Sequence, residues 1–411
     1  MLKRIELSQF RSCTHTVLDD MGGVLALVGR NGAGKTNVMR GITWAAGMAT
    51  RTDQVVLDFG YLYPEPRFPS ATIEFDTVVG KFRYAVSLSA PAGQDPVKAM
   101  GGPVLLHETL ARLSVDSNEW IPLVARNGTR IELLETSAVL TIPSATPCLN
   151  ALIALLPGDS PLSAQIRAVI SFLSLVRYYA LDAEDDVDNS QVIQHGAYEQ
   201  WVEASKIGLD GNSSFAMRLL HMFLERKDDF SELQQLLGST GLNLISSIDI
   251  IPLEIPQSPN HPDVDPAAEA PQIKMYFIAF RPADFGDTDR GKRFGFKELS
   301  YGTRRVTKIL CSVLYDRSSV LLIEQPEDGI HSGLLHKLIP LFRAYSDRMQ
   351  FIVASHSRDV LNRFLPQEVR LVSLKDGQTF VRHLDLAEVS AAEQFIAQDG
   401  PLSDFIESVE E

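Results

Sequence analysis

The chain opens on strict alternation. LKRIELSQF, Leu2 to Phe10, sets apolar and polar side chains on opposite sides, the period of a strand with one buried face. VLALVG, Val24 to Gly29, is continuously apolar and stops at glycine, as a strand buried on both faces of a parallel sheet does. A helix is expected from Lys35 to about Ala46. Between about Pro69 and Leu134, ATIEFDTVV, KFRYAVSLS, LLHETLARLSV, WIPLVAR and RIELL read as short strands. Gly80, Asp116-Ser117-Asn118 and Asn127-Gly128 mark turns between them, and the stretch predicts an antiparallel β lobe. From about Cys148 to Ile245 the period lengthens. AQIRAVISFLSLVRYY and SFAMRLLHMFLERKDDFSELQQLL carry apolar residues at helical spacing, without heptads sustained enough for a long coiled coil. Asp182 to Ser190, Pro256 to Pro266 and Pro282 to Arg293 read as loops or linkers. After about Phe294, helices (RRVTKILCSVLY, GLLHKLIPLFRAY) alternate with buried strands (VLLI, FIVAS), and VRLVSLKDGQTFVRHL reads as a hairpin around Asp376-Gly377. The expected result is one α/β core made from the two chain ends. Residues 1–147 hold its first part and the β lobe, 148–255 a helical insertion, 256–293 a linker and strand, and 294–411 its second part.

Composition narrows the class. The 411 residues are 45% hydrophobic and 22% charged, enough apolar material for a core, which excludes a mostly disordered chain. No apolar run approaches the roughly 18 residues of a membrane span. No apolar stretch follows the basic residues of MLKRIELSQF, so no secretory signal is read. Cys13, Cys148 and Cys311 lie far apart with no CxxC pair, which argues against a zinc finger or a disulfide framework. These features predict a cytoplasmic protein with no membrane contact. With 38 basic against 52 acidic residues the net charge is −14. That lowers the expectation of DNA as the main ligand and raises that of protein partners, although a local basic groove is compatible with it.

Four motifs carry chemistry. GRNGAGKT, Gly29 to Thr36, fits G-x-x-x-x-G-K-[ST] at every fixed position, after a predicted strand and before a predicted helix. Its glycines let backbone amides converge on one anion, and the helix start adds its dipole. Lys35 supplies a point charge near the β- and γ-phosphates, and the Thr36 hydroxyl can hold Mg²⁺. Gly29, Asn31, Gly32, Ala33, Gly34, Lys35, Thr36 and Asn37 are the candidate nucleotide contacts. LSYGTRR, Leu299 to Arg305, precedes an amphipathic helix, with Ser300 placed as its N-cap and Gly302 keeping the backbone open. Taken alone it is a helix cap. VLLIEQPEDGIH, Val320 to His331, sets acids at the end of a buried strand, where ligands of open α/β sheets collect. Glu324 is the natural ligand for Mg²⁺-bound water; Gln325 and Glu327 follow. IVASHS, Ile352 to Ser357, sets His356 past another buried strand, where it can reach a γ-phosphate as a donor.

As an ordered set, these motifs resemble the Walker A, signature, Walker B and switch-histidine motifs of ABC-class ATPases, most closely the RecF, SMC and OLD-like branch. IELSQFRS is similar to that branch's first strand and arginine turn, which makes Arg11 a candidate nucleotide contact. The motif-bearing regions cover about a third of the chain. The resemblance implies an α/β P-loop head that binds ATP and Mg²⁺, with Thr36 and Glu324 at the metal. It also implies a homodimer, or a higher oligomer, in which Ser300 and Gly302 face the ATP held by Lys35 and Thr36 of the partner chain.

One departure stands out. The position after the Walker B acid usually carries the general base, and here it is Gln325, whose amide cannot accept a proton as a carboxylate does. Slow hydrolysis is expected, with Glu327 or His356 substituting in part. The Q-loop glutamine is not placed by the motifs; Gln54 is a candidate on order alone. Only 55 residues follow His356, too few for the Toprim nuclease domain of OLD-like proteins. The resemblance therefore points to an ATPase whose output lies in a separate effector, a nuclease or toxin, as in anti-phage systems of the Septu or PARIS type. The alternative is a RecF-like ATP-dependent DNA clamp using Arg304, Arg305, Lys308 and the Arg290–Lys292–Arg293 cluster. A third is an ATP-sensing scaffold without turnover. The 265 positions between Lys35 and Ser300 argue against a transporter ATPase.

Overall fold

The N-terminal alternation becomes β1 (Leu2–Phe10), whose Leu2, Ile5 and Leu7 are buried, paired with β2 (Cys13–Leu18). The fully apolar run becomes β3 (Val24–Val28), every residue of it buried, and a loop leads from it into α1 (Lys35–Thr50). The structure, a computed structural model, describes residues 1–52, 68–90, 104–179, 192–206, 214–256, 272–283 and 292–410. The predicted β lobe is present as β4 (Ser70–Thr77), β5 (Gly80–Ser89), β6 (Leu105–Leu113), β7 (Trp120–Asn127), β8 (Arg130–Leu133) and β9 (Ala138–Thr141). These join β1 and β2 in an antiparallel sheet of order β2-β1-β4-β5-β6-β7-β8-β9. Its far end is pinned by a buried ion pair. Arg126 donates to Glu108 at 2.5 Å and to the carbonyls of Gly128, Pro143 and Ser144, while Tyr84 and the Cys148 amide also donate to Glu108. Both charged side chains are at most 1% exposed.

After α2 (Cys148–Leu155) and α3 (Pro161–Ser174) the chain departs from the sequence reading. The apolar spacing that predicts a helix through Tyr179 ends as a helix at Ser174. Val176–Tyr179 is instead a strand, β10. The Ser319 hydroxyl and amide tie to the carbonyls of Phe172 and Leu175, which turns the chain so that its V-R-Y-Y run pairs with a neighbouring strand.

That neighbour belongs to a second sheet. β14 (Val320–Glu324), β15 (Gln350–Ser355), β16 (Val369–Lys375) and β17 (Gln378–His383) join β10 and β3 in the order β10-β14-β15-β3-β16-β17. Neighbours are parallel except β16 and β17, which form the predicted hairpin. The N-terminal β3 thus lies between two strands from the C-terminal third. Val38, Met39 and Ile42 of α1 are buried in the same continuous core as Leu25, Leu27, Leu322 and Ile352. Each such side chain stabilises the fold by about 1.5–3 kcal/mol relative to exposure.

The chain divides into two compact units. The first comprises Met1–Ala180, Ser318–Glu327 and Leu338–Glu411. The second comprises Leu181–Arg317 and Asp328–Lys337. It contains β11 (Val192–Gln194), α4 (His195–Lys206), α5 (Phe215–Glu225), α6 (Lys227–Leu237), β12 (Ile245–Pro256), β13 (Gln272–Pro282) and α7 (Tyr301–Tyr315). The single helical block read from Ser214 to Leu237 is two helices. Arg226 breaks it at φ −128°, and its guanidinium caps the carbonyls of Leu314 and Tyr315 at the end of α7. β11, β13 and β12 form an antiparallel sheet, so the strand content of 245–256 exceeds the sequence reading. Of the three predicted loops, residues 182–190, 257–266 and 284–291 lie outside the described residues.

The remaining helices are α8 (Ser332–Tyr345), α9 (Arg358–Leu361), α10 (Leu386–Gln398) and α11 (Leu402–Glu410). α11 buries Leu402, Phe405 and Ile406 at i, i+3 and i+4, an apolar stripe among its acids. Cys13, Cys148 and Cys311 are buried and unpaired. Among the described residues no helix is long and apolar enough to cross a membrane.

Candidate functional site

β3, β14 and β15 run parallel and end level with one another: Ser355 pairs with Val28, and Glu324 with Ala354. The sequence places a chemical group just past each end. Past β3, Gly29 begins the loop into α1. Gly32 and Gly34 take φ of +81° and +103°, the left-handed region in which a side chain is costly. Gly34 is doubly required, because a Cβ there would sit 2.0 Å from Thr379 Oγ1. Thr379, on β17, backs the loop: its hydroxyl approaches the Ala33 carbonyl at 3.3 Å and the Ser12 hydroxyl at 2.7 Å. Arg30 and Asn31 are exposed at the loop's crest, and Ala33 is buried.

Lys35 is buried, and its Nζ donates to the carbonyls of Gly29 (2.7 Å) and Arg30 (3.1 Å). Burial lowers its pKa; the carboxylates of Glu327 and Glu324 pull it back up. Thr36, next on α1, donates its hydroxyl to Glu324 Oε1, which joins the first and third motifs. The other Glu324 oxygen, Oε2, accepts from the Tyr178 hydroxyl of β10. Burial first, then the hydrogen bond to Glu324, raises the Tyr178 pKa.

Gln325 turns the chain at φ +45°, an uncommon conformation for a residue with a side chain, and its amide N–H donates to the Ala354 carbonyl at 2.7 Å. Its side-chain Nε2 faces His356 Nδ1 at 3.4 Å. Glu327 Oε1 accepts from the Ser355 hydroxyl (2.6 Å) and the His356 amide (3.3 Å), and lies 3.7 Å from His356 Nδ1. Its second oxygen, Oε2, is buried without a partner. Arg11, at φ +53° on the β1–β2 turn, reaches Asn37 Oδ1 at 3.4 Å, and Asn37 in turn donates to Ser12. The structure therefore gathers Arg11, the loop residues, Lys35, Thr36, Asn37, Glu324, Gln325, Glu327 and His356 along one sheet edge.

Ser300 and Gly302 belong to the second unit. Ser300 is exposed and caps α7, accepting from the Thr303 amide at 3.2 Å. Gly302 is needed for close approach: a Cβ there would lie 2.4 Å from the Gly329 carbonyl oxygen. Gln54, the candidate Q-loop glutamine, lies outside the described residues.

The donor set fits Mg²⁺. A carboxylate and a hydroxyl are hard oxygen ligands, and Mg²⁺ sites are typically completed by substrate phosphates and water. Among the described residues no three His, Cys, Asp or Glu side chains converge as a self-sufficient metal cage. A buried ammonium resting on loop carbonyls suits an incoming anion. Sequence reasoning missed Tyr178, because the stretch read as helix, and missed Thr379 and Ser12, which no motif marks.

The fold is shared with SMC head domains. An SMC head solved bound to the C-winged helix domain of ScpA aligns with TM-score 0.50 at 15% identity, over 95% of this chain and 99% of that one. Two further SMC heads align less closely. One, from Thermotoga maritima, has TM-score 0.43 and 13% identity over 94% and 99% of the two chains. The other, with an extended coiled coil and bound to the C-terminal domain of ScpA, derives from Pyrococcus furiosus and has TM-score 0.48 and 13% identity over 97% and 99%. Residues 217–362 match the model of a family described as an AAA domain, putative AbiEii toxin, type IV toxin–antitoxin system. That stretch includes Ser300, Glu324 and His356 and leaves out the Gly29–Thr36 loop. No curated protein matches the sequence.

Proposed function

We propose that this chain binds Mg-ATP at the Gly29–Thr36 loop and hydrolyses it slowly. The observation that carries the reading is the hydrogen bond between Thr36 and Glu324, from motifs 288 positions apart, beside a buried Lys35. Lys35 and the loop amides would hold the phosphates, with Thr36 and Glu324 at the metal, directly and through water. The metal would neutralise phosphate charge during transfer. His356 would donate to a γ-phosphate, from a segment that Glu327 ties through the Ser355 hydroxyl and the His356 amide. Ser300 and Gly302 would close on the nucleotide of a second copy.

We further propose that ATP-driven dimerisation controls a separate effector, a nuclease or toxin, in anti-phage defence, from the cytoplasm. The family description, with its putative toxin, supports a toxic output; the SMC head bound to the C-winged helix domain of ScpA supports docking of a partner protein on such a fold. The DNA-clamp alternative has less support. Arg305 is buried, and Arg293 is engaged by Asp249 at 2.8 Å. The test is native mass spectrometry of the protein co-expressed with its genomic neighbours, with and without Mg-ATP, beside nucleotide binding by Lys35→Ala. An ATP-dependent dimer carrying a nuclease-like or toxin-like neighbour is expected, with ATP binding lost in Lys35→Ala. A lone chain that binds duplex DNA only with ATP would overturn the effector reading. ATP binding equal in Lys35→Ala would overturn the site.

A further inference from the structure

We infer that Tyr178 is a positioning residue for the metal, holding the Glu324 carboxylate in the plane that Mg²⁺-bound water requires. The inference rests on the Mg-ATP reading above. Glutamate has one more rotatable bond than aspartate, so a carboxylate at position 324 points to a fixed place only if both oxygens are held. They are held by two different elements. Thr36, at the start of α1, takes Oε1, and Tyr178, at the end of β10, takes Oε2. The Thr36 hydroxyl can keep donating to Oε1 while its oxygen ligates a cation. The Tyr178 hydroxyl fixes Oε2 with no part in ligation. β10 is itself held in register along β14, with Tyr178 opposite Leu322 and Tyr179 opposite Ile323, so the ring is anchored by the same sheet that carries the acid.

Groups that orient metal-site ligands typically change metal affinity 10–100-fold when removed. A single donor to a residue acting through water belongs at the low end.

The test compares wild type, Tyr178→Phe, Glu324→Ala and the double variant, using Mn²⁺ as the probe. Electron paramagnetic resonance gives the Mn²⁺ affinity of the ATP complex, and calorimetry in EDTA gives the metal-free ATP affinity. Tyr178→Phe is expected to weaken Mn²⁺ about tenfold, with metal-free ATP affinity within about twofold of wild type. In the Glu324→Ala background the same change should add nothing, because the hydroxyl then has no carboxylate to orient. Unchanged or tighter Mn²⁺ binding in Tyr178→Phe overturns the inference. So does an equal further loss in the Glu324→Ala background, which would place the hydroxyl's effect elsewhere. If wild type binds neither ATP nor Mn²⁺, the Mg-ATP reading falls, and the inference with it. A circular-dichroism melt matching wild type separates misfolding from loss of the hydroxyl.

Discussion

Gln325→Glu probes the chemistry of the site most directly. A positioned general base contributes about 10²–10⁴ to a rate, equivalent to about 3–5 kcal/mol at 1.36 kcal/mol per tenfold. The new carboxylate would sit at the end of β14, past Glu324 and near Glu327, so like charges surround it and favour the low end, about 10². The Gln325 side chain also faces His356 Nδ1 at 3.4 Å, so the substitution changes what that ring meets. The assay is steady-state phosphate release at saturating Mg-ATP, with Lys35→Ala as the blank. Turnover within about twofold of wild type, in a variant that still binds ATP, would refute the idea that Gln325 stands where a general base is missing.

Gly302→Ala brings a Cβ to 2.4 Å from a backbone oxygen of Gly329, and neither partner is a flexible side chain. We expect a loss of about 1–3 kcal/mol and weaker ATP-dependent dimerisation; an unchanged calorimetric transition would show the start of α7 to be free to move. Arg126→Leu leaves the Glu108 carboxylate buried, with Tyr84 and the Cys148 amide as its donors among the described residues. Denaturant titration should show about 3–5 kcal/mol lost, partly recovered by adding Glu108→Gln; a loss under about 1 kcal/mol contradicts the burial argument. His221 lies edge-on to Tyr315 at 5.6 Å, and burial, then the Arg226 charge, lowers its pKa from the ordinary 6.5. The unfolded chain thus takes up the proton first, so stability is full above about pH 6.5 and falls as the pH drops below it. Thermal melts of His221→Phe should lose that slope, and an identical slope would assign it to other groups.

Most strands of the β lobe, and β3, β14, β15 and the β16–β17 hairpin of the second sheet, were legible because their signal is local: period two, or a continuous apolar run. The loop at Gly29–Thr36 was legible because its residue types fit a fixed pattern, GxxxxGK[ST], between a strand and a helix. What was hidden depends on contacts distant in sequence. Val176–Tyr179 has apolar spacing that also fits a helix, and only β14, some 140 positions later, makes it a strand. The break at Arg226 follows from two carbonyls of α7 that need a donor. Thr379 is one threonine in a hairpin until the fold sets it behind Gly34. The same distance hid Tyr178, whose partner is the very acid that the motif identified.

β3 lies between β15 and β16, so its two hydrogen-bonding edges are satisfied by residues 350–355 and 369–375. During synthesis, a fully apolar strand made within the first 28 residues waits for partners about 320–340 positions later. At ~5–20 residues per second that wait lasts about 15–70 s. The nascent chain thus carries an exposed, pairing-competent segment throughout that interval, while the β lobe can pair strand by strand as it emerges. Chains that stall or are cleaved before residue 350 would present β3 to one another. Aggregation of such fragments, and a need for holdase chaperones during expression, follow from the order in which this sheet is threaded.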